Sequence, residues 1–371
     1  MNILSLLIGR DGCSGYRVKN HLTEIAKSHK EHDVKFIEGG DSGENILKLI
    51  TGANVVLMRE QHDSFLSFLK SQNEIDISKK LFVVDMDDDV FDISPFNEAY
   101  RTAGVSEVKY QDKWLWRNGE NGFDAERNKK AADIRVDFLK NADLITVTTP
   151  TLQKRIQSIS QNPNVEVCPN AINFNHWNKW PLSKGKEIRI GWTGGSSHYE
   201  DWFSIKDGLL EVFKKHPECK LVIQGSNFPG LIKDIPHELH DWIDWEGHPY
   251  KAASLNLDIA IIPLTNSSFN SHKSCIKWYE FSSLGVPCLV SNVAPYSLEI
   301  ENGKTAVCYN NSKEFVAGLE KLIADKKLRT TIGNNAYKWV FKHRNLKDVA
   351  KDYLAIYEKY LNKKYEHTRN N

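Results

Sequence analysis

Lys273, Lys277 and Glu280 fall in the stretch KSCIKWYEFSSLGVP at spacings of four and three residues, which on a helix puts their heads on one face. Two ammonium groups beside a carboxylate suit a ligand that carries both phosphate and ribose. The cations meet the anionic oxygens and the carboxylate accepts from hydroxyls. A surface helix with an i,i+3 ion pair has the same pattern. Gly285 and Pro287 close the helix, and Cys288 to Ser291 reads as a short buried strand.

Two glycine-rich turns supply a second kind of anion site. Gly9, Gly12 and Gly15 follow the apolar run Asn2–Ile8, and the order Thr193-Gly194-Gly195-Ser196-Ser197-His198 follows Ile188–Trp192. Each leads into a helical pattern, so unpaired backbone N–H groups face whatever lies beyond the strand. The second turn makes Gly194, Gly195, Ser196 and Ser197 candidates for a diphosphate. The first makes Gly12, Ser14, Gly15, Tyr16 and Arg17 candidates for a second substrate, with an ordinary tight turn as the alternative. Its spacing is not G-x-G-x-x-G, and no acidic residue closes the second strand as a dinucleotide ribose would require.

Other polar groups gather at predicted strand ends. Arg59 follows one strand, and Asp85, Asp87, Asp88 and Asp89 follow another; Asp85 or Asp88 is expected at an acceptor hydroxyl, with helix-capping loop residues as the alternative. Residues 92–130 are irregular and interleave Trp114 and Trp116 with Lys113, Arg117, Arg127, Lys129 and Lys130. That mixture stacks sugars or bases and meets phosphates, or anchors an ordered insertion by two indoles.

The elements that must position these groups alternate. Strands are expected at Val34–Ile37, Asn54–Met58, Leu81–Asp85, Asp143–Thr148 and Val165–Cys168, with helices near Glu44–Ile50, Asp63–Lys70, Ala125–Asn141 and Thr151–Ser158. After a Pro/Ser/Gly-containing link the alternation resumes with helix Asp201–Lys215 and strands Lys220–Gln224 and Leu257–Ile262. Helices Ser312–Asp325, Lys327–Phe341 and Leu346–Tyr360 close the chain. Such βα repetition specifies α/β, doubly wound parallel sheets that bind ligands beyond the carboxyl ends of their strands.

Glu280 followed by a small and apolar run and then Gly285-Val286-Pro287 resembles the donor-site helix of GT-B glycosyltransferases of the retaining family 4 type (glycosyl transferases group 1). The likeness covers nearly the full chain in order: first glycine turn, hinge Asn170-Ala171-Ile172-Asn173, second glycine turn, Lys/Glu helix and a final helix. It implies two Rossmann-like domains facing across a cleft. The first is an acceptor-binding domain at 1–172, with an insertion at about 92–130. A linker at 173–186 leads to a nucleotide-sugar domain at 187–345, and a helix and tail at 346–371 cross back to the first.

The resemblance also implies roles. Glu280 holds the ribose, Lys273 and Lys277 take the charge of the leaving diphosphate, and Trp245 to His248 lie at the base. Ala294-Pro295-Tyr296 brings backbone N–H groups, Tyr296 among them, near phosphate. The family usually has a second Glu eight residues before the first, where this chain has His272; the change implies altered sugar recognition, with Asn270 or Lys273 reaching in, or lowered activity. An Asp-x-Asp such as Asp85–Asp87 binds a divalent metal in single-domain GT-A enzymes, but here it falls in the first domain, away from the donor signature. No metal and no cofactor are expected beyond the nucleotide-diphosphate sugar itself.

The implied reaction is glycosyl transfer, retaining and metal-independent, to a soluble or polymeric acceptor hydroxyl. Alternatives are glycosylation of hydroxymethylated pyrimidines in DNA, a nucleotide-sugar epimerase, and a non-catalytic sugar-nucleotide-binding module. Composition bounds these readings: 371 residues allow two domains, 40% are hydrophobic and 26% charged, and the net charge of +1 creates no global field toward nucleic acid or acidic lipid, while a first domain of net acidic count does not recommend the DNA alternative. Six cysteines without a C-x-x-C pair fit a reducing cytoplasm. The opening MNILSLLIGRDG lacks a basic n-region and is far too short in apolar length for a membrane span.

Overall fold

The computed structural model describes residues 1–6, 11–37, 41–60, 75–179 and 185–370. The expected helix Asp63–Lys70, and Gly9 of the first glycine turn, lie outside these. Two six-stranded sheets, parallel throughout, form the framework. The first is built from β1 (Asn2–Leu6), β2 (Asp33–Ile37), β3 (Val55–Arg59), β4 (Leu81–Met86), β7 (Leu144–Val147) and β8 (Val165–Val167), in the order β2-β1-β3-β4-β7-β8. Between β4 and β7 the expected irregular stretch instead contains an antiparallel hairpin, β5 (Val108–Tyr110) and β6 (Lys113–Trp116). The positive-φ Gln111 and Asp112 form its two-residue turn.

The second sheet has β9 (Ile188–Gly194), β10 (Cys219–Gly225), β11 (His237–His240), β12 (Ile259–Ile262), β13 (Cys288–Ser291) and β14 (Val307–Tyr309), ordered β11-β10-β9-β12-β13-β14. Strand β11 was not among the expected strands; its HELH alternates half-buried and exposed residues at the sheet edge, a pattern too short to read alone. In both sheets the order reverses beside the first strand, between β1 and β3 and between β9 and β12. Such reversals part the following loops and open a crevice at the carboxyl ends. Both glycine turns leave from those two first strands.

Central strands are buried on both faces, as parallel sheets under helices require: every residue of Val55–Arg59 and of Leu81–Met86 is buried. The last helix, Leu346–Asn370, returns to the first domain and packs on helix Asn20–Ser28. Tyr353 stacks on His21 with ring centroids 4.0 Å apart, and its hydroxyl donates to the Cys168 carbonyl at 3.0 Å. Leu346, Val349, Leu354 and Tyr357 join the same apolar cluster, each large side chain contributing about 1.5–3 kcal/mol of burial. No helix among the described residues is long and apolar enough to cross a membrane.

The helix that carries Lys277 and Glu280 is shorter than its sequence pattern. It runs Ile276–Ser283, after a separate turn of helix at Ser268–Ser271 capped by the Ser267 hydroxyl. Lys273 therefore precedes the helix instead of sharing its face. The interruption is held from the other domain: the Thr151 hydroxyl donates to the Ser271 carbonyl at 3.0 Å, Thr149 to the His272 carbonyl at 3.3 Å, and the Asn170 amide to the Ser274 hydroxyl at 2.9 Å. Backbone groups that would have continued the helix find partners across the gap.

Candidate functional site

The second-domain wall forms where β9 ends. Gly194 leaves room for Lys277: a Cβ there would meet the lysine Nζ at 2.8 Å and overlap the Trp192 ring. The ammonium lies 5.4 Å from the centre of that ring, a cation–π distance. Gly195 then starts the turn Ser196–His198, which runs directly into helix Tyr199–Lys215. Among the described residues no carboxylate comes within 4.0 Å of the Lys277 ammonium. Burial lowers its pKa, partly opposed by Glu280 and reinforced by Lys273. A shielded cation beside unspent helix-end amides is an electrostatic hole for an anion.

One helical turn on, Glu280 is 5% exposed. It accepts a 2.6 Å hydrogen bond from the Tyr16 hydroxyl, and His248 Nε2 lies 3.5 Å away. Burial alone would raise this carboxyl; His248 above all, then Lys277 and the Tyr16 hydroxyl, hold it below the ordinary glutamate range. Tyr16 reaches it from the first glycine turn. Beside it, Gly15 sits so close to Trp245 that any Cβ would overlap the indole, and Lys19 pairs with Glu246 at 2.9 Å. Tyr16 and Gly15, expected at the acceptor, thus touch the donor-side candidates Glu280 and Trp245.

Lys273 crosses to the first domain and pairs with Asp88 at 3.1 Å, and its pKa is raised: burial lowers it, but Asp88 foremost and Asp201 outweigh that. His272 Nδ1 stands 3.1 Å from Asp89 Oδ2 without hydrogen-bond alignment, and Arg155 takes the same oxygen at 2.9 Å. The structure sets His272 against an acidic loop of the opposite domain.

Three candidates, Asp85, Arg17 and Arg59, need correction. Asp85 is fully buried, gripped by Arg17 at 2.7 Å and by the Thr146 hydroxyl at 2.7 Å. Arg17 in turn donates to the Cys168 carbonyl and the Asn170 amide oxygen. With its polar atoms used inside the fold, this pair braces the first domain and presents nothing to an acceptor. Arg59 is also buried, bound to Asp87 at 2.6 Å and Glu60 at 3.2 Å, and it steadies the acidic loop.

Ser14 is buried against Asp11, whereas Gly12 has open space above it. Trp116 is an anchor: its indole donates to the Pro95 carbonyl at 2.6 Å, and Tyr100 and Phe123 pack on it. Trp114 is 42% exposed, flanked by Lys109 at 4.4 Å and Arg117 at 5.6 Å. The Tyr296 ring is buried in the cluster beneath helix Ile276–Ser283.

Two groups that sequence reasoning passed over complete the wall. His198 Nδ1 is 2.7 Å from Asp201 Oδ2. Asp201 Oδ1 accepts from the Thr265 N–H at 2.7 Å, the Thr265 hydroxyl at 3.0 Å and the Asn270 amide at 3.1 Å. One carboxylate thereby ties the turn after β9 to the loop after β12, on either side of the reversal point. The signal available was a histidine and an aspartate three apart, immediately after a glycine turn. Among the described residues no group of three or more His, Cys, Asp or Glu is placed to hold a metal ion.

Comparison with known proteins agrees with this fold. Residues 206–339 match the family model described as glycosyl transferases group 1. A sucrose-phosphate synthase from Thermosynechococcus elongatus superposes with a TM-score of 0.65 at 14% identity, covering 97% of this chain and 99% of that one. HepE from Anabaena, solved in complex with UDP, gives a TM-score of 0.63 at 13% identity over 97% and 100%. A UDP-N-acetylglucosamine 2-epimerase, so described as putative, from Listeria monocytogenes gives 0.56 at 11% over 98% and 97%. At these identities the superpositions establish the fold. A curated relative, cobyric acid synthase of Prochlorococcus marinus (strain MIT 9312), is 40% identical over 45 residues, 11% of this chain; the chain spans about a tenth of that protein, 9% of its length.

Proposed function

We propose, from the match of residues 206–339 to the glycosyl transferases group 1 family model and the GT-B fold of the whole chain, that this protein moves a sugar from a nucleoside-diphosphate sugar to an acceptor hydroxyl. The observation that carries the reading is the Lys277 ammonium, shielded and without a carboxylate partner among the described residues. It stands at the Gly194–Ser197 turn, one helical turn from Glu280. The turn and Lys277 receive the diphosphate, and Glu280 takes the ribose hydroxyls once Tyr16 yields an oxygen to them.

The chemistry follows from where charge develops. As the bond from the anomeric carbon to the phosphate oxygen breaks, negative charge collects on the diphosphate. Lys277 and the helix-end amides stabilise it without moving. The acceptor oxygen bonds to the anomeric carbon on the same face, and its proton passes to the departing phosphate oxygen. This reading retains anomeric configuration and asks neither a protein base nor a metal for a step.

Asp88, paired with Lys273, is the candidate nearest an incoming acceptor. His272, turned toward Asp89, supports a sugar site that differs from the family's. Charges around Trp114 alternate, with Glu107, Asp112 and Glu120 among Lys109, Lys113 and Arg117. That mixture favours a glycan or small acceptor over the phosphodiester backbone of DNA. Six free cysteines support a reducing compartment.

The test is a thermal-shift screen across nucleoside-diphosphate sugars, followed by product analysis. A stabilising nucleotide that loses its effect in Lys277→Ala and Glu280→Ala supports the site. An unchanged shift in both variants refutes it, and an epimerised sugar-nucleotide as sole product would replace transfer by epimerisation.

A further inference from the structure

The second glycine turn ends in His198, whose side chain has no part in the roles assigned to Lys277 and Glu280. Its Nδ1 faces Asp201 Oδ2 at 2.7 Å, and a carboxylate can only accept, so Nδ1 carries hydrogen. In the neutral ring Nε2 is then a lone pair. The residue is 8% exposed, and Nε2 has no hydrogen-bond partner among the described residues. Asp201 itself cannot swing away, because its other oxygen holds Thr265 and Asn270.

The charges around the ring come from three segments. Asp201 lies on the helix that follows the turn, Lys277 on helix Ile276–Ser283, and Lys273 just before it. Burial and then Lys277 push the imidazole down to about 4, with Asp201 opposing and Lys273 adding to the fall. At neutral pH, therefore, the ring beside the anion hole is uncharged. A phosphate oxygen brought within reach of a neutral Nε2 would meet it acceptor to acceptor. A terminal phosphate brings about 1.5 to 2 negative charges, which reverses the balance set by the two ammonium groups.

We propose that His198 takes up a proton from solvent when a nucleoside diphosphate binds, and that the imidazolium, braced by Asp201, donates from Nε2 to the phosphate beside Lys277. The proton returns to solvent when the nucleotide leaves. His198 then acts as a cation present only with its ligand, sparing the fold a third positive charge beside Lys273 and Lys277 at other times. This rests on the donor site proposed above.

Calorimetric titration of the full chain with UDP, GDP and ADP at pH 7.5, in two buffers of different ionisation enthalpy, counts protons directly. For a nucleotide that binds, the expected result is uptake of roughly half to one proton, against none in His198→Gln, with affinity in that variant about tenfold weaker. A free terminal phosphate that binds fully ionised releases protons, so the sign separates the two sources. His198→Asn serves as second variant if the glutamine variant melts early.

Binding that Lys277→Ala abolishes but that takes up no proton overturns the proposal and leaves the donor site standing. Uptake unchanged in both His198 variants also overturns it. Failure of all three nucleotides to bind refutes the donor site itself, and the proposal with it.

Discussion

The Tyr16 hydroxyl donates a 2.6 Å hydrogen bond to Glu280 Oε1 across 264 positions of sequence, joining the first glycine turn to the carboxylate that we assign to the ribose. Hydrogen bonds to ionised groups are worth about 1.5–3 kcal/mol, so this tie competes with any ligand that needs the same oxygen. Tyr16→Phe should tighten nucleoside-diphosphate binding about three- to tenfold, read by calorimetry. Weaker binding would show that the phenol assists the ligand.

Gly15 permits the approach on which that tie depends. Because a Cβ would overlap the Trp245 ring, Gly15→Ala should hold the two domains apart. Expected outcomes are a larger radius of gyration by small-angle scattering and activity lowered at least tenfold. Unchanged scattering and activity would mean that Trp245 simply rotates away.

Lys277 should show opposite effects on stability and function. A half-buried cation without a carboxylate partner among the described residues costs folding energy, so Lys277→Met should raise the melting temperature of the protein alone by a few degrees. The same change should abolish the nucleotide-induced shift and lower turnover at least a hundredfold. A lower melting temperature without ligand would reveal a structural role.

His198 gives the protein a pH signature. Its folded pKa of about 4 lies below the ordinary histidine value of about 6.5, so the unfolded chain binds the proton more tightly. The stability it contributes is complete above pH 6.5 and is lost as pH falls through 4, by about 3 kcal/mol in all. Denaturant midpoints from pH 7 to 4 should decline less steeply in His198→Gln than in the parent. Parallel declines would remove His198 as the source.

The two hairpin tryptophans should separate anchor from surface. Trp116→Ala should destabilise the protein by about 3 kcal/mol, given its packing on the buried rings of Tyr100 and Phe123 and its carbonyl bond. Trp114→Ala should leave the melting temperature unchanged and raise the KM for acceptor alone. Equal effects of both on stability would contradict the distinction.

Much of the framework is legible along the chain because it depends on local periodicity. Strand–turn–helix starts at Asn2 and Ile188, the placement of Lys277 and Glu280 three apart, and the closing helices all follow from side-chain spacing and glycine chemistry. Tertiary structure decided which polar groups are available to chemistry. Asp85 and Arg17 read as cleft residues until their pairing, 68 positions apart, withdraws both into the core. Lys273 shares a helical pattern with Lys277, yet contacts from Thr149, Thr151 and Asn170 break that helix and send the lysine to Asp88.

His198 and Asp201 carry little signal as a spacing, and gain meaning only when Asp201 reaches the loop after β12. The physical reason is one of range. Periodicity specifies which face of an element a side chain occupies, whereas a charge's partner depends on what the opposite sheet brings within about 3 Å, and that distance exists only in the folded chain.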